Sequence, residues 1–372
     1  MKNKGLKILL SALLVLCIIM AGALIGKEYI ADNIKEADNQ NGVDVVKDTS
    51  DTGKEDDNAV DGTARGTEST QSDAAEADTQ QPQMSTIVIT ATGDCTLGNN
   101  QEQSYDGSFN SYYDSKGQDY FFGGVRDIFE ADDMTLINLE CVLSDATERI
   151  EKRWNLKGKP GLDDTRSVLE NAGIVYGFND QTGIYETADG TRIGIVSASL
   201  LSQNGDREAY IQNGIAKLRE QGAAIVIACC HWGIEGDHYP NDYQQAAAHR
   251  IIDWGADLVV GNHPHVLQGM EVYNGKMICY SLGNFCFGGN KNPADKNTAI
   301  YQQTFTLING ELQPGIDARI IPCTLSSASS YNDFRPTVAS GEKAQEICNL
   351  MNTYSQNYSK IEIDELGKLH VN

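Results

Sequence analysis

Apolar and polar positions divide the chain into three stretches. Residues 8–26 are an uncharged, mainly aliphatic run, and residues 31–84 are dominated by Asp, Glu, Thr, Gln, Ser and Gly. From Ser85 onward short apolar runs recur, most of them closed by a polar residue. Thr86-Ile87-Val88-Ile89-Thr90-Ala91-Thr92 predicts a strand that stops at Gly93-Asp94, and Met134–Leu139 predicts a buried strand that stops at Glu140. A strand over Arg192–Ala198 is followed by a helix over Ala209–Gln221 and a strand over Ala223–Cys230 that opens into His231-Trp232-Gly233. A second helix covers Asn241–Trp254 and is stopped by Gly255. Two more strands, Asp257–Val260 and Met277–Tyr280, lead into Gly261-Asn262-His263-Pro264-His265 and Ser281-Leu282-Gly283-Asn284-Phe285. Short strands alternating with helices predict an α/β fold with a layered sheet. Residues 85–325 make its body. Residues 326–372 make a tail, in which Gly341–Ser355 is an amphipathic helix packed back on the body and the last residues are loose.

The first stretch reads as a membrane segment. Lys2, Lys4 and Lys7 precede Ile8–Gly26, and Lys27-Glu28 closes it. Nineteen helical residues at about 1.5 Å each reach across a hydrocarbon core of about 30 Å. The lysines place the N-terminus in the cytoplasm, so residues 1–30 are a single-pass anchor and the rest lies outside the cell membrane. The alternative is a cleaved leader, with Met20-Ala21-Gly22-Ala23 as the small-residue patch. A lipid-carrying Cys17 is disfavoured by Leu16, where a small residue would be wanted. In residues 31–84 acidic side chains outnumber basic ones by ten, and too little apolar surface exists to offset the entropy of ordering; a disordered acidic linker is expected.

That linker carries much of the net charge of -23. The acidic balance argues against a nucleic-acid partner, which needs a basic face. Of the nine cysteines, Cys95, Cys141, Cys229, Cys230, Cys279 and Cys286 mostly sit inside apolar, strand-like runs, so buried free thiols are expected rather than disulfides.

The chemistry is suggested by position. Asp94, Glu140, His231, His263 and His265 each follow a predicted strand, and in open α/β sheets ligands bind beyond the carboxyl ends of the strands. Carboxylate and imidazole donors suit a divalent ion such as Mn, Zn or Fe. Singly, each residue has a bland reading: a strand-end Asp is most often a loop cap, and a strand-end Glu is usually a solvated charge. His238 and His249 read as an ordinary loop and an ordinary helix residue. Two histidines flanking Pro264 after a buried strand, with His-Trp-Gly after another, are less easily dismissed, and together the cluster points to metal or anion binding.

Three blocks then carry a resemblance. Ile227-Ala-Cys-Cys-His231-Trp-Gly-Ile-Glu235, with Pro240 and Gln244, is the first. Gly255-Ala-Asp257-Leu-Val-Val-Gly-Asn-His263-Pro-His265-Val-Leu-Gln268 is the second, and Ile278-Cys-Tyr280-Ser-Leu-Gly-Asn-Phe285 the third. With Gly93-Asp94 and Asn138-Leu139-Glu140 upstream, they resemble the CapA family, which is assigned to synthesis or export of the poly-gamma-glutamate capsule. The resemblance covers about residues 85–324. It implies a layered metallophosphoesterase-like sandwich, with Asp94, Glu140, His231, His263 and His265 as metal ligands, His231 and His263 as catalytic candidates, and Asn138 and Glu235 beside them. It also implies as partners an anionic capsule polymer and other capsule-synthesis subunits.

One departure stands out. The family carries an Asn-Asn-His motif after a helix and strand that follow Glu140. Here Lys157-Gly-Lys-Pro160, which resembles the segment before that helix, runs directly into Gly161-Leu-Asp-Asp-Thr165, which resembles the segment after the motif. A helix, a strand and the motif are missing, on the order of 20–30 residues. By analogy with phosphoesterases, a metal ligand and a general acid go with them. Three readings follow: a capsule-polymer synthesis or export factor with an impaired hydrolase-derived site, an active metal-dependent phosphoesterase, or a non-catalytic polyanion-binding or scaffold module.

Overall fold

The computed structural model describes residues 14–18, 82–99, 105–144, 159–203, 205–358 and 361–371. Strands β1 (Leu14–Ile18) and β2 (Met84–Thr96) are followed by helices α1 (Phe109–Lys116) and α2 (Arg126–Phe129), then β3 (Met134–Leu139), α3 (Lys159–Asn171), β4 (Tyr176–Gly177), β5 (Gly183–Glu186) and β6 (Arg192–Ser199). Next come α4 (Gly205–Glu220), β7 (Ile225–His231), α5 (Asp242–Asp253), β8 (Leu258–Asn262), β9 (Met270–Tyr273), β10 (Lys276–Cys279) and β11 (Asn284–Phe287). The chain continues through β12 (Asn297–Ile308), β13 (Glu311–Leu312), β14 (Asp317–Thr324), β15 (Thr337–Val338), α6 (Gly341–Ser355), β16 (Ile361–Ile363) and β17 (Leu369–Val371).

Two sheets face one another. The first runs β15-β14-β12-β2-β3-β1-β4, with β11 beside β2 and β13 beside β12; the second runs β5-β6-β7-β8-β10-β9. In the second, β6, β7, β8 and β10 are parallel, and β5 and β9 add antiparallel edges. Because side chains alternate between faces with period two, each buried strand serves two cores. Ile87 and Ile89 of β2 and Met134 and Leu136 of β3 meet Ile193, Ile195, Ile225, Ile227, Leu258 and Val260 of the second sheet between the sheets. The intervening Val196, Val226, Ala228 and Val259 pack on Ile211, Ile215 and Leu218 of α4 and on Ala247, Ala248 and Ile251 of α5. On the far side of the first sheet, Ile137 and Leu139 pack with Phe109, Phe129 and Leu169 of α1, α2 and α3. The layering is helix, sheet, sheet, helix, which bears out the α/β layered reading.

The elements that carry the site form where their residues require them. Asn241 caps α5 by accepting from the Gln244 backbone N–H, and the Gln244 side chain accepts from Asn241 N–H. This capping box starts the helix and fixes the length of the loop after His231. Gly255, at φ 107, ends it as expected. The expected thiols are free: Cys95, Cys229, Cys230, Cys279 and Cys286 are buried and Cys141 is partly buried.

Of three further expectations, two need correction and one stays untested. First, β2 does not stop at Asp94; it runs on to Thr96, and its pairing with β3 shifts register between Ala91 and Asp94. Asp94 is thus a residue at an irregularity within the strand, where the pleat is reset. Second, and left untested, is the membrane helix: of the run Ile8–Gly26 only Leu14–Ile18 is described, as a strand paired in parallel with β3 and with β4. Among the described residues no helix is long and apolar enough to cross a membrane; the rest of residues 1–30, and the linker over 31–81, lie outside the described residues. Third, the last residues are not loose. α6 spans Gly341–Ser355 as expected and buries Ile347, Cys348 and Met351, but β16 and β17 then form a hairpin that adds Ile361, Ile363 and Leu369 to the inter-sheet core.

Candidate metal centre

Period two carries the inter-sheet faces of β3, β7 and β8 upward from Leu136, Cys229 and Val260 to Asn138, His231 and Asn262. Glu140 follows β3 with its backbone N–H donating to Cys95 O at 2.8 Å, and His263 follows β8 with its N–H donating to Asp94 Oδ2 at 3.3 Å. Four strands from two sheets therefore deliver their polar ends to one mouth between the layers.

The five expected ligand residues converge there. Donor atoms of Asp94, Glu140 and His231 lie within 4.8 Å of one another, as do those of Glu140, His263 and His265. His231 Nδ1 is 3.4 Å from Glu140 Oε1, and His265 Nδ1 is 3.3 Å from Asp94 Oδ2 and 3.8 Å from Glu140 Oε2. The His231 and His263 rings stand 4.6 Å apart between centroids. Asn138, expected beside the ligands, donates Nδ2–H to Asp94 Oδ1 at 2.6 Å. Glu235 is exposed at the rim and reaches the cluster only through its charge, which bears on Glu140 and His263. His238 and His249 lie apart, bonded to Leu267 O and to Glu271.

The backbone is strained where the histidines project. His263 and His265 have φ values of 100 and 59 on either side of Pro264. Such left-handed conformations at non-glycine residues persist only where the surroundings hold them. Here Asn284 holds one of them: its Oδ1 accepts from His265 Nδ1 at 3.0 Å, and its Nδ2 donates to His265 O at 3.1 Å. Asn284 pairs with Asp94 in the β11–β2 register, which locks the two ends of the cluster together. Along the chain Asn284 is inconspicuous; nothing short of the strand pairing places it against His265.

Protonation follows from burial and proximity. Burial pushes His231 well below its ordinary pKa, reinforced by the neighbouring His263, and His263 is lowered by the same two causes, burial and His265. For His265, burial works downward, but the carboxylates of Glu140 and Asp94 outweigh it and carry the imidazole up to about 10. Burial and the Asp94 charge hold Glu140 well above the carboxylate range. At Asp94, burial works upward, yet His265 and the Asn138 hydrogen bond hold it low. The cluster thus balances its charge around an anionic Asp94 and a cationic His265.

Do these residues fit a divalent ion? His231 is wholly buried, and neither Nδ1 nor Nε2 has a hydrogen-bond partner; the Glu140 contact is not aligned for one. Asn138 Oδ1 is likewise buried and orphaned. Buried polar groups without partners are rare and costly. A fully buried neutral imidazole facing two carboxylates and two further imidazoles is the donor set that borderline divalent ions take. The residues fit.

Comparison with known proteins centres on the same segment. Residues 155–289 match the family model described as "Bacterial capsule synthesis protein PGA_cap". That span holds His231, His263 and His265 but neither Asp94 nor Glu140. The chain is 42% identical over 111 residues to the PGA biosynthesis protein CapA of Bacillus subtilis, covering 30% of this chain and 27% of that protein. It is 31% identical over 159 residues to the capsule biosynthesis protein CapA of Bacillus anthracis, covering 35% and 37% respectively. The chain therefore spans only about a third of the length of these relatives. A hypothetical protein from Thermus thermophilus matches 63% of this chain and 99% of its own at 12% identity, with a TM-score of 0.37, too loose a likeness to argue from.

Proposed function

The chain belongs to the CapA family of bacterial capsule synthesis proteins, and on that premise we propose that it serves synthesis or export of an anionic capsule polymer at the outer face of the cell membrane. The observation that carries this reading is the convergence of Asp94, Glu140, His231, His263 and His265 at one mouth between two sheets, with the three histidines inside the family-matched segment. Such an ion, when bound, supplies Lewis-acid charge and an activated water. The chain's own groups orient around it: Asn138 and Asn284 fix Asp94 and His265, while His263, partly exposed and neutral, is the imidazole able to exchange a proton with a bound substrate.

Impaired hydrolysis belongs to the same proposal. Among the described residues between β3 and β4 there is no strand, and the place between them in the sheet holds β1, whose Leu-Val-Leu-Cys-Ile has neither Asn nor His. Losing a positioned general acid typically costs about 10²–10⁴-fold in rate. Binding of a polyanionic polymer through the site's ion and histidines is then the residual role.

Membrane attachment rests on the run Ile8–Gly26 and its flanking lysines. Insertion would withdraw Leu14–Ile18 from the sheet, so the two placements exclude each other. Protease added to intact cells should release a fragment beginning near residue 83; protection of the whole chain until lysis would overturn the topology.

Function is tested by removing the chain from its host and measuring surface polyanion. Loss of polymer, restored by the parent chain but not by His231→Ala, is expected; unchanged polymer would overturn the proposal. Purified protein given phosphomonoesters and phosphodiesters with Mn or Zn should turn over near background. Robust turnover abolished by His231→Ala would favour the active phosphoesterase instead.

A further inference from the structure

Asn262 is the last residue of β8 and pairs in register with His231, the last residue of β7. Directly paired residues of neighbouring strands share a face. The alternation agrees: Leu258 and Val260 belong to the inter-sheet core, as do Ile225, Ile227 and Cys229, so Asn262 and His231 follow them on the same side. Asn262 is 2% exposed, and its Oδ1 is buried with no hydrogen-bond partner. A buried carboxamide oxygen left unpaired costs about 1–3 kcal/mol, and it stands next to His231, whose two nitrogens are orphaned as well.

The orphans share a chemistry. His231 and the oxygens of Asn138 and Asn262 are neutral lone-pair donors, and all sit on the faces that the two sheets turn toward each other. Leaving acceptors unpaired around a mouth that also holds Asp94 and Glu140 makes sense if a cation is their common partner. Asn138 already spends its N–H on Asp94. Asn262 has no such second duty, and the following residue, His263, is in the cluster.

We propose that Asn262 is an oxygen ligand of the divalent ion held by Asp94, Glu140, His231, His263 and His265. It supplies from the second sheet a neutral carboxamide donor. The inference rests on the reading of the site as a metal centre and adds to it a residue that neither the strand-end pattern nor the resemblance singled out.

The test uses the full-length chain purified in mild detergent, stripped of metal and titrated with Co(II), with affinity and visible absorption as readouts. Asn262→Leu should melt no lower than the parent when metal-free, because an orphan is removed, yet bind Co(II) on the order of 10–100-fold more weakly. Asn262→Asp, which keeps the oxygen and adds charge, should bind at least as tightly as the parent at pH 8 and shift the Co(II) spectrum. Equal affinity and an unchanged spectrum in Asn262→Leu would overturn the inference while leaving the metal centre standing. Should Asn262→Leu fail to fold, an unperturbed Co(II) spectrum in Asn262→Asp overturns it. A parent chain that binds no Co(II) removes both readings together.

Discussion

His231 and Glu140 meet from opposite sheets, with Nδ1 3.4 Å from Oε1, in a contact that is close without being a hydrogen bond. Neither residue is set up for the other. The histidine is wholly buried and held neutral by its surroundings, and burial and Asp94 hold the glutamate well above the ordinary carboxylate range. Two buried groups each disfavoured in their charged form, with both nitrogens of His231 lacking a hydrogen-bond partner, describe a site whose metal-free state is costly. That cost is a handle on function, because it can be measured without knowing the substrate.

Replacing His231 by Leu should therefore act in opposite directions on two quantities. In metal-free protein the orphaned imidazole disappears and a side chain of similar size remains, so stability should stay level or rise by about 1–3 kcal/mol. Zn or Mn should raise the melting temperature of the parent, since an ion that binds only the folded state stabilises it, and should do nothing for His231→Leu. Thermal melts with and without metal check both. A variant that loses stability without metal and still gains it with metal would contradict this account.

Metal affinity should rise with pH. His265, carried up to about 10 by Glu140 and Asp94 against the effect of burial, is cationic at neutral pH, and burial and Asp94 hold Glu140 well above the ordinary carboxylate range. His265 must give up a proton to act as a donor, and the raised Glu140 takes one up more readily, so protons compete with the ion and weaken it as pH falls. At pH 7 each ion bound should release roughly one proton, from His265. Calorimetric titration in buffers of different ionisation enthalpy measures that number directly. A heat that is the same in every buffer would mean His265 is not a ligand.

Much of the site was legible because β3, β7 and β8 are buried on both faces. Runs such as Ile225-Val-Ile-Ala-Cys-Cys stand out as strands, and the polar residue that closes each marks a sheet end. Met134–Leu139 and Gly341–Ser355 fall where the pattern puts them. Elements whose pattern is broken were missed. Strand β12 buries Thr298, Gln302 and Gln303 among its apolar residues, with Gln302 bonded to Thr90 and to Arg319, so neither period shows cleanly. The roles of Asn262 and Asn284 depend on register, which places Asn262 beside His231 and Asn284 beside Asp94. No run of residues along the chain contains that information.

The closing hairpin gives a test of packing against appearance. Ile363 is 3% exposed, its N–H donates to Asn352 Oδ1 at 2.8 Å, and its carbonyl accepts from Asn352 Nδ2 at 2.9 Å. Three residues on, Leu366 is 89% exposed. Ile363→Ala should cost about 2–5 kcal/mol, and Leu366→Ala should stay within about 0.5 kcal/mol. Denaturant melts of the two variants check the difference. Equal stability would mean that the tail is not part of the core.

Gly93 sets the position of Asp94, and its role is steric. A Cβ there would stand 1.9 Å from Gly283 O, 2.8 Å from Gly283 C and 3.0 Å from Leu282 C. All three are backbone atoms, so no side chain can swing away. The next residue's N–H, on Asp94, donates to that same Gly283 oxygen at 2.8 Å. Adding one methyl group must therefore push β2 away from the 282–284 segment, and with it Asp94 away from Asn284 and His265. Gly93→Ala should lose about 1–3 kcal/mol or more from overpacking and should bind Co(II) weakly even where it remains folded, because Asp94 is displaced relative to His265. Gly190→Ala is the matched control. Gly190 has φ 86 and open space where its Cβ would go, so it should show a backbone cost of about 1 kcal/mol and parental Co(II) affinity. Parental stability and Co(II) affinity in Gly93→Ala would show that β2 can shift without moving the site, and that Asp94 is not held by the contact between these two backbones.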